Sequence, residues 1–183
     1  MAQRLLAGRA IAGPAPVGGP TDAVTVAVHD VLWTDPAAAI LRASMAAEIR
    51  DRYADRLHDP GRRPTVLDSI DPDTVSYTAV AYIDGEPVGQ LALRRLRGDV
   101  DLVRMYVVPE WRGRKVSTAL LKKAHAAADR LGARRIVVQT GDRQPDAVHC
   151  YRKHGFDEVP VFAPYKAMAY SVCFAADVRR DGA

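Results

Sequence analysis

An α/β domain, with a mixed, mostly antiparallel sheet and helices on both of its faces, is the fold class this sequence predicts. Three observations carry it. Residues 75 to 108 are rich in strand formers and are broken once by Asp84-Gly85. On either side of that block the apolar residues recur at helical spacing, as Leu41, Met45, Ile49, Tyr53 and Leu57 before it and as Val116, Leu120, Ala124, Ala127 and Leu131 after it. Beyond residue 132, short strand and helix signals alternate.

Each element then follows in order. The stretch from Gly8 to Pro20 is mostly Gly, Ala and Pro, which bury little surface, so residues 1–22 are expected to be a flexible tail. Val24, Val26 and Val28 alternate as in a strand with one buried face. Asp35-Pro36 reads as a helix start, an N-cap carboxylate followed by a residue that needs no N–H partner. The segment Asp59-Pro60-Gly61-Arg62-Arg63-Pro64 is a loop. Val75 to Ile83 and Pro87 to Leu96 form a hairpin across Asp84-Gly85, and Val100 to Val108 adds a strand that stops at Pro109. A helix follows from Arg114 to Leu131, with Gly132 as its stop. Ile136 to Val138 is a short strand, Pro145 opens a helix reaching His154, and Phe156–Val159 and Met168–Phe174 are further short strands. The domain is thus 23–178, with 179–183 as a second tail.

Composition narrows the function classes. With 183 residues, 48% of them hydrophobic and 26% charged, one domain with a real core is expected. No apolar run approaches the ~18 residues of a membrane span, and Met1–Leu6 lacks the sustained apolar core of a signal peptide. No membrane partner and a cytoplasmic location are expected. Cys150 and Cys173 are too few for a disulfide framework, and neither they nor His29, His58, His125 and His154 show metal spacing. His149 and Cys150 are neighbours on a helix, about 100° apart, and form no nucleophile–base pair. The net charge of +4 is too small to argue for nucleic acid.

The charge is concentrated, however. Residues 94–135 hold 12 Lys/Arg against 4 Asp/Glu, so the remainder is net acidic. The run Met105-Tyr106-Val107-Val108-Pro109-Glu110-Trp111-Arg112-Gly113-Arg114-Lys115-Val116-Ser117 is a strand, a loop and a helix start crowded with donors. Helix N-termini carry free amides and a dipole that favours anions, so this is a site for a phosphate-bearing ligand. The Gly-x-x-x-x-Gly-Lys-Ser/Thr spacing of a nucleotide P-loop is absent.

Here the chain resembles the GNAT superfamily of N-acetyltransferases, in particular a bacterial branch acting on small acceptors. Val-x-Pro-x-x-Arg-Gly-Arg before an amphipathic helix is similar to its acyl-CoA loop, Gln/Arg-x-x-Gly-x-Gly/Ala. Gln144-Pro145-Asp146-Ala147-Val148-His149-Cys150-Tyr151-Arg152-Lys153-His154-Gly155-Phe156 resembles its Asn-x-x-Ala-x-x-x-Tyr-x-x-x-Gly-Phe, with Gln144 in place of Asn. The resemblance covers about residues 23–178 and implies a sheet splayed between two central strands. It also implies acetyl-CoA as cosubstrate, no metal, no nucleic acid, and a small-molecule or peptide amine as acceptor. Homodimers are common in that family, so the assembly is left open.

The resemblance places the cofactor arm on Met105, Tyr106 and Val107, whose Val107 amide would face a developing oxyanion. It places the diphosphate on Arg112, Gly113, Arg114, Lys115, Val116 and Ser117, with Gln144 nearby. Lys115 departs from the family's glycine, and its ammonium is expected to pair with a phosphate. Tyr151 is implied as the general acid that protonates the leaving thiol, and Asp101 as the base that takes the amine's proton, if necessary through water. Glu48 and Glu86 are other acidic candidates. Glu48, Arg52 and Tyr53, with segments 59–73 and 160–166, are expected to shape the acceptor site. A catalytically idle acyl-CoA-binding module and a basic nucleic-acid-binding domain are the rival readings.

Overall fold

The computed structural model describes residues 25–56 and 70–178. The expected tails 1–22 and 179–183, the loop 59–64, Val24 and Leu57 lie outside the described residues. The rest forms a seven-stranded sheet with three helices. The strands are β1 (Ala27–Val31), β2 (Val75–Ile83), β3 (Glu86–Leu96), β4 (Asp99–Val107), β5 (Arg135–Gly141), β6 (Asp157–Val159) and β7 (Ser171–Asp177). The helices are α1 (Pro36–Arg52), α2 (Val116–Arg130) and α3 (Pro145–Lys153). The sheet order is β1-β2-β3-β4-β5-β7-β6, antiparallel throughout except for the parallel pair β4–β5.

Two tight turns set the register of the first half. Asp84 and Gly85 have φ of 50° and 83°, and Arg97 and Gly98 have 45° and 88°. Positive φ at both central residues suits the two-residue hairpins that close Ile83 on Glu86 and Leu96 on Asp99. Strands β2 and β3 are buried on both faces, which is why they read as nearly continuous apolar runs. One face, with Ala79, Leu91, Leu93, Val100, Leu102, Ile136 and Val138, packs against Val116, Leu120, Leu121 and Ala124 of α2. Val80 lies between Ala79 and Ala81 and so faces the other way, where Ala38 and Leu41 of α1 cover it.

Local chemistry explains the helix ends. Asp35 Oδ1 accepts from the amides of Ala37 and Ala38 at 2.9 and 3.1 Å, with Pro36 in the first helical position. Helix α2 starts at Val116 rather than Arg114, because Gly113 and Lys115 both adopt left-handed φ, 76° and 64°. Gly132, at φ 69°, ends it. Strand β1 begins at Ala27, later than the valine alternation suggested. Strand β7 runs from Ser171 rather than Met168, because Ala169 and Tyr170 form a turn closed by the Ser171 amide on the Met168 carbonyl at 3.2 Å.

The feature that matters for function is where the parallel pair stops. Val100, Asp101 and Leu102 pair with Ile136, Val137 and Val138, and no further. Beyond Leu102, β4 stays with β3 while β5 follows β7, and the two central strands diverge.

Candidate active site

The divergence opens a cleft of about 400 Å³, within the range of small-molecule sites. Met105, Tyr106 and Val107 of β4 wall one side, the start of α2 another, and α3 from Gln144 to His154 the third; Met45, Glu48, Ile49 and Arg52 of α1 close one end. The backbone of β4 presents hydrogen-bonding groups to it. The Val108 amide bonds the Val88 carbonyl at 2.9 Å, so Val88 and Val108 form a bonded pair. In an antiparallel ladder the next pair, Gly89 and Val107, then turns its N–H and C=O outward. For Val107, outward means into the gap left by β5. Gly89 lets this strand lie close to α2, since a Cβ there would sit 2.9 Å from the Tyr106 carbonyl and 3.0 Å from Val116 Cγ1.

The α2 end of the cleft is built for an anion. Lys115 supplies no side-chain cap, so the amides of Val116, Ser117 and Thr118 have no intrahelical acceptor. The dipole adds positive potential at that point. Gly113, Lys115, Val116 and Ser117 line the cleft, as does Lys153 from α3. Arg114 does not line it: its guanidinium lies over the Trp111 ring, 4.9 Å from the centroid. Arg112 lines the cleft but is aimed at α1. Its Nε donates to the Val107 carbonyl at 3.0 Å and its Nη2 to Glu48 Oε2 at 2.6 Å.

Helix α3 brings Tyr151 to the cleft. Its ring is buried against Phe156 and Phe174, with centroids 5.6 and 5.9 Å away. Its hydroxyl bonds no described residue. Burial, with smaller contributions from the nearby Cys150, Asp101 and Asp146, pushes the phenol well above its ordinary value of 10, so it keeps its proton at neutral pH. Gln144 stands just before α3 and lines the cleft without capping the helix. Thr118 Oγ1 and His154 Nε2 lie 2.9 Å apart where α2 and α3 meet; Thr118 was not singled out in the sequence, and His154 was considered there only as a metal ligand, although it lies three residues from Tyr151 and four from Cys150.

Asp101 occupies a different setting from the one expected of a base in direct contact with substrate. It is fully buried and does not line the cleft. Its Oδ2 accepts from Arg94 Nε and Nη2 at 2.9 and 2.8 Å and from the Tyr165 hydroxyl at 2.7 Å, while Oδ1 has no partner. Burial raises its pKa, and the Tyr165 hydrogen bond and Arg94 charge offset that rise only in part. Tyr165, which holds the β6–β7 connection against the sheet, falls in the segment 160–166 expected near the acceptor, but its contact with Asp101 was not foreseen in the sequence.

Of the three residues expected at the acceptor site, Glu48 and Arg52 line the cleft and Tyr53 does not. Burial raises the Glu48 pKa, but Arg112 and Arg52 outweigh it and hold the carboxyl below its usual range. Both oxygens are taken, Oε1 by Arg52 at 2.7 Å and Oε2 by Arg112. The Tyr53 hydroxyl accepts from the Arg143 amide at 3.0 Å and so pins the β5–α3 loop. Ion pairs Arg52–Asp146, Arg56–Asp142 and Arg143–Asp55 reinforce that junction. Glu86, the remaining acidic candidate, is exposed at the β2–β3 turn and does not line the cleft. Among the described residues no group of His, Cys, Asp and Glu could hold a metal ion, and no helix is long and apolar enough to cross a membrane.

Known proteins with the same arrangement are numerous. The chain is 31% identical over 77 residues to IAA acetyltransferase of Azospirillum brasilense, covering 42% of this chain and 50% of that protein. Over 89 residues it is 30% identical to an uncharacterised N-acetyltransferase of Methanocaldococcus jannaschii, covering 45% of this chain and 39% of that one. The match therefore spans half or less of these relatives' length. Among solved structures, a Klebsiella pneumoniae protein provisionally named an acyl-CoA N-acyltransferase superposes with a TM-score of 0.68 at 24% identity, over 84% of this chain and 98% of that chain. An Elizabethkingia anophelis GNAT family acetyltransferase with acetyl-CoA bound gives 0.59 at 14% identity, over 83% and 97%. The family model described as Acetyltransferase (GNAT) family matches residues 35–156, from the cap of α1 to the end of α3. A splayed parallel pair, a donor-rich helix start and a match over most of the domain lead to one conclusion: this chain belongs to the GNAT acetyltransferase family.

Proposed function

We propose that the chain transfers an acetyl group from acetyl-CoA to a primary amine by direct attack, with Tyr151 as the general acid. The observation that carries this reading is a buried phenol, without a hydrogen-bond partner among the described residues, that reaches a cleft walled by outward-facing strand backbone and bare helix amides. The residues present fit the cosubstrate. A diphosphate is served by the amides of Val116, Ser117 and Thr118, with Lys115 and Lys153 beside them. An amide-bearing arm is served by Val107, whose carbonyl holds Arg112 Nε and would exchange that donor for another. The cosubstrate supplies an activated acyl carbon and a thiol leaving group.

The chain's own residues then divide the work. The Val107 N–H, pointing into the gap, donates to the carbonyl oxygen as negative charge builds there. Tyr151 gives its proton to the sulfur as the C–S bond breaks and the C–N bond forms. A lysine-like amine, with a pKa near 10.4, must shed a proton before it attacks. Asp101 Oδ1 is the unpartnered carboxylate oxygen behind the cleft, and its raised pKa makes it a better acceptor than an ordinary aspartate. Because Asp101 does not line the cleft, that first proton reaches it through water and is then lost to solvent, while the second proton, shed by the nitrogen once the C–N bond has formed, returns to Tyr151.

Thiol release from acetyl-CoA with a panel of amines, run beside calorimetric titration with coenzyme A, tests the reading. Release with at least one amine is expected. Tight binding with no turnover on any amine would favour an idle acyl-CoA-binding module instead.

A further inference from the structure

Strand β4 does not run evenly past β3. Gly89 faces Val107 and Gln90 faces Tyr106, but Ala92 faces Val103. Two steps along β3 thus correspond to three along β4, and the extra residue is a bulge. Arg104 marks it, at φ 55°, a left-handed conformation that an arginine adopts only when its surroundings impose it. The bulge falls two residues past Leu102, the last to pair with β5, and immediately before Met105, Tyr106 and Val107. It therefore bends β4 at the point where the cleft opens.

Gln90 is the side chain that meets the bulge. It is fully buried, and its Nε2 donates to the Arg104 carbonyl at 2.6 Å. Its Oε1 is buried with no partner among the described residues. A buried carboxamide that leaves its oxygen unpaired is expensive, and a leucine or methionine would fill the same volume without that cost. The donor end therefore has a use that apolar packing cannot supply. We infer that Gln90 is a positioning residue, which fixes the β4 bulge and through it the place of the Val107 N–H along the cleft. The inference rests on reading the cleft as the acyl-CoA site, but the clamp itself can be observed without turnover.

Two measurements on Gln90→Met test it separately. Amide hydrogen exchange of residues 103–107, in the chain without ligand, should accelerate by about tenfold or more while α2 keeps its protection, as expected for loss of a buried hydrogen bond. In the acetyl-transfer assay, kcat should fall by about tenfold with a smaller change in the acetyl-CoA KM, because the donor displaced acts mainly on the transition state. Gln90→Glu, assayed at the acid end of its stable range where a protonated carboxyl can donate, should recover toward the wild type. Unchanged exchange in Gln90→Met, unchanged kcat, or a Gln90→Glu variant no better than Gln90→Met at acid pH would each overturn the assignment. A wild-type chain that turns over no amine, with the exchange of Gln90→Met still accelerated, would leave the clamp standing and sink the reading of the cleft.

Discussion

Replacing Gly141 by alanine is the sharpest test of how α1 is fastened to the β5–α3 loop. A Cβ at position 141 would stand inside the contact radius of the Tyr53 hydroxyl oxygen and 2.9 Å from Cζ of the same ring. The ring must move, and with it goes the hydrogen bond from the Arg143 amide. Losing that bond costs about 1 kcal/mol, and displacing a packed ring costs about 1–3 kcal/mol. Alanine returns about 0.5–1 kcal/mol by restricting the unfolded chain. The net is a destabilisation of roughly 1–3.5 kcal/mol, which for a domain this size lowers Tm by about 2–14 °C. Thermal unfolding of Gly141→Ala, Tyr53→Phe and the double variant would measure it. The clash is with Tyr53, so the two substitutions should couple by about 1 kcal/mol or more. Strict additivity, or a Gly141→Ala variant as stable as the wild type, would refute the reasoning. Tyr53→Phe should also leave kcat and both KM values within about twofold, which separates a loop pin from an acceptor-binding residue.

Other consequences follow from the same geometry. Tyr151→Phe should lower kcat by about 10²-fold with little change in coenzyme A affinity, and unchanged turnover would remove it from the mechanism. Because burial raises the Tyr151 and Tyr165 pKa values above that of an unfolded tyrosine, the folded state holds those protons longer, and stability should fall as pH rises above about 10; alkaline melts that show no such decline would contradict their burial. Asp101→Asn leaves Arg94 without its counter-charge and should cost about 3 kcal/mol of stability in denaturant titrations; if Asp101 also takes the amine's proton, the acid limb of the kcat profile disappears, and a variant that keeps its full pH–rate profile dismisses that role. Lys115→Gly relieves a left-handed backbone worth about 1 kcal/mol and should raise Tm, while coenzyme A binds about threefold more weakly in Lys115→Gly and weaker still in Lys115→Glu; equal affinity for both variants would discard phosphate pairing.

How much of this was legible beforehand differs from element to element. Asp35-Pro36, Asp84-Gly85 and Gly132 announced their positions because each pairs a residue type with a backbone need it alone satisfies cheaply. The four-residue spacing of Leu41, Met45 and Ile49 put α1 in place, and the donor-rich run 112–117 located one end of the cleft. The bulge at Arg104 left no trace, since an arginine gives no signal for left-handed φ and its clamp, Gln90, lies 14 residues away. The pairing of Asp101 with Arg94 was equally hidden, although the two are cross-strand neighbours once the Arg97-Gly98 turn is known. Tyr53 fell on the apolar stripe of α1 yet serves the loop after β5, because its partner is a backbone amide, which has no sequence identity at all. Arg114 and Arg112 share a motif but separate in space, one over Trp111 and one on Glu48, with the left-handed Gly113 between them.

The placement of β7 between β5 and β6 bears on how the protein is made. During translation every other strand of the sheet leaves the ribosome before residues 171–177 do, and until they arrive the flank of β5 has no neighbour while β6 has nothing to lie against. A nascent chain that stalls or is cut short of residue 171 thus presents a bare strand flank, a template on which another copy can pair. Quality control in the cell would meet the hazard there, at the seam that closes last, rather than at the catalytic cleft.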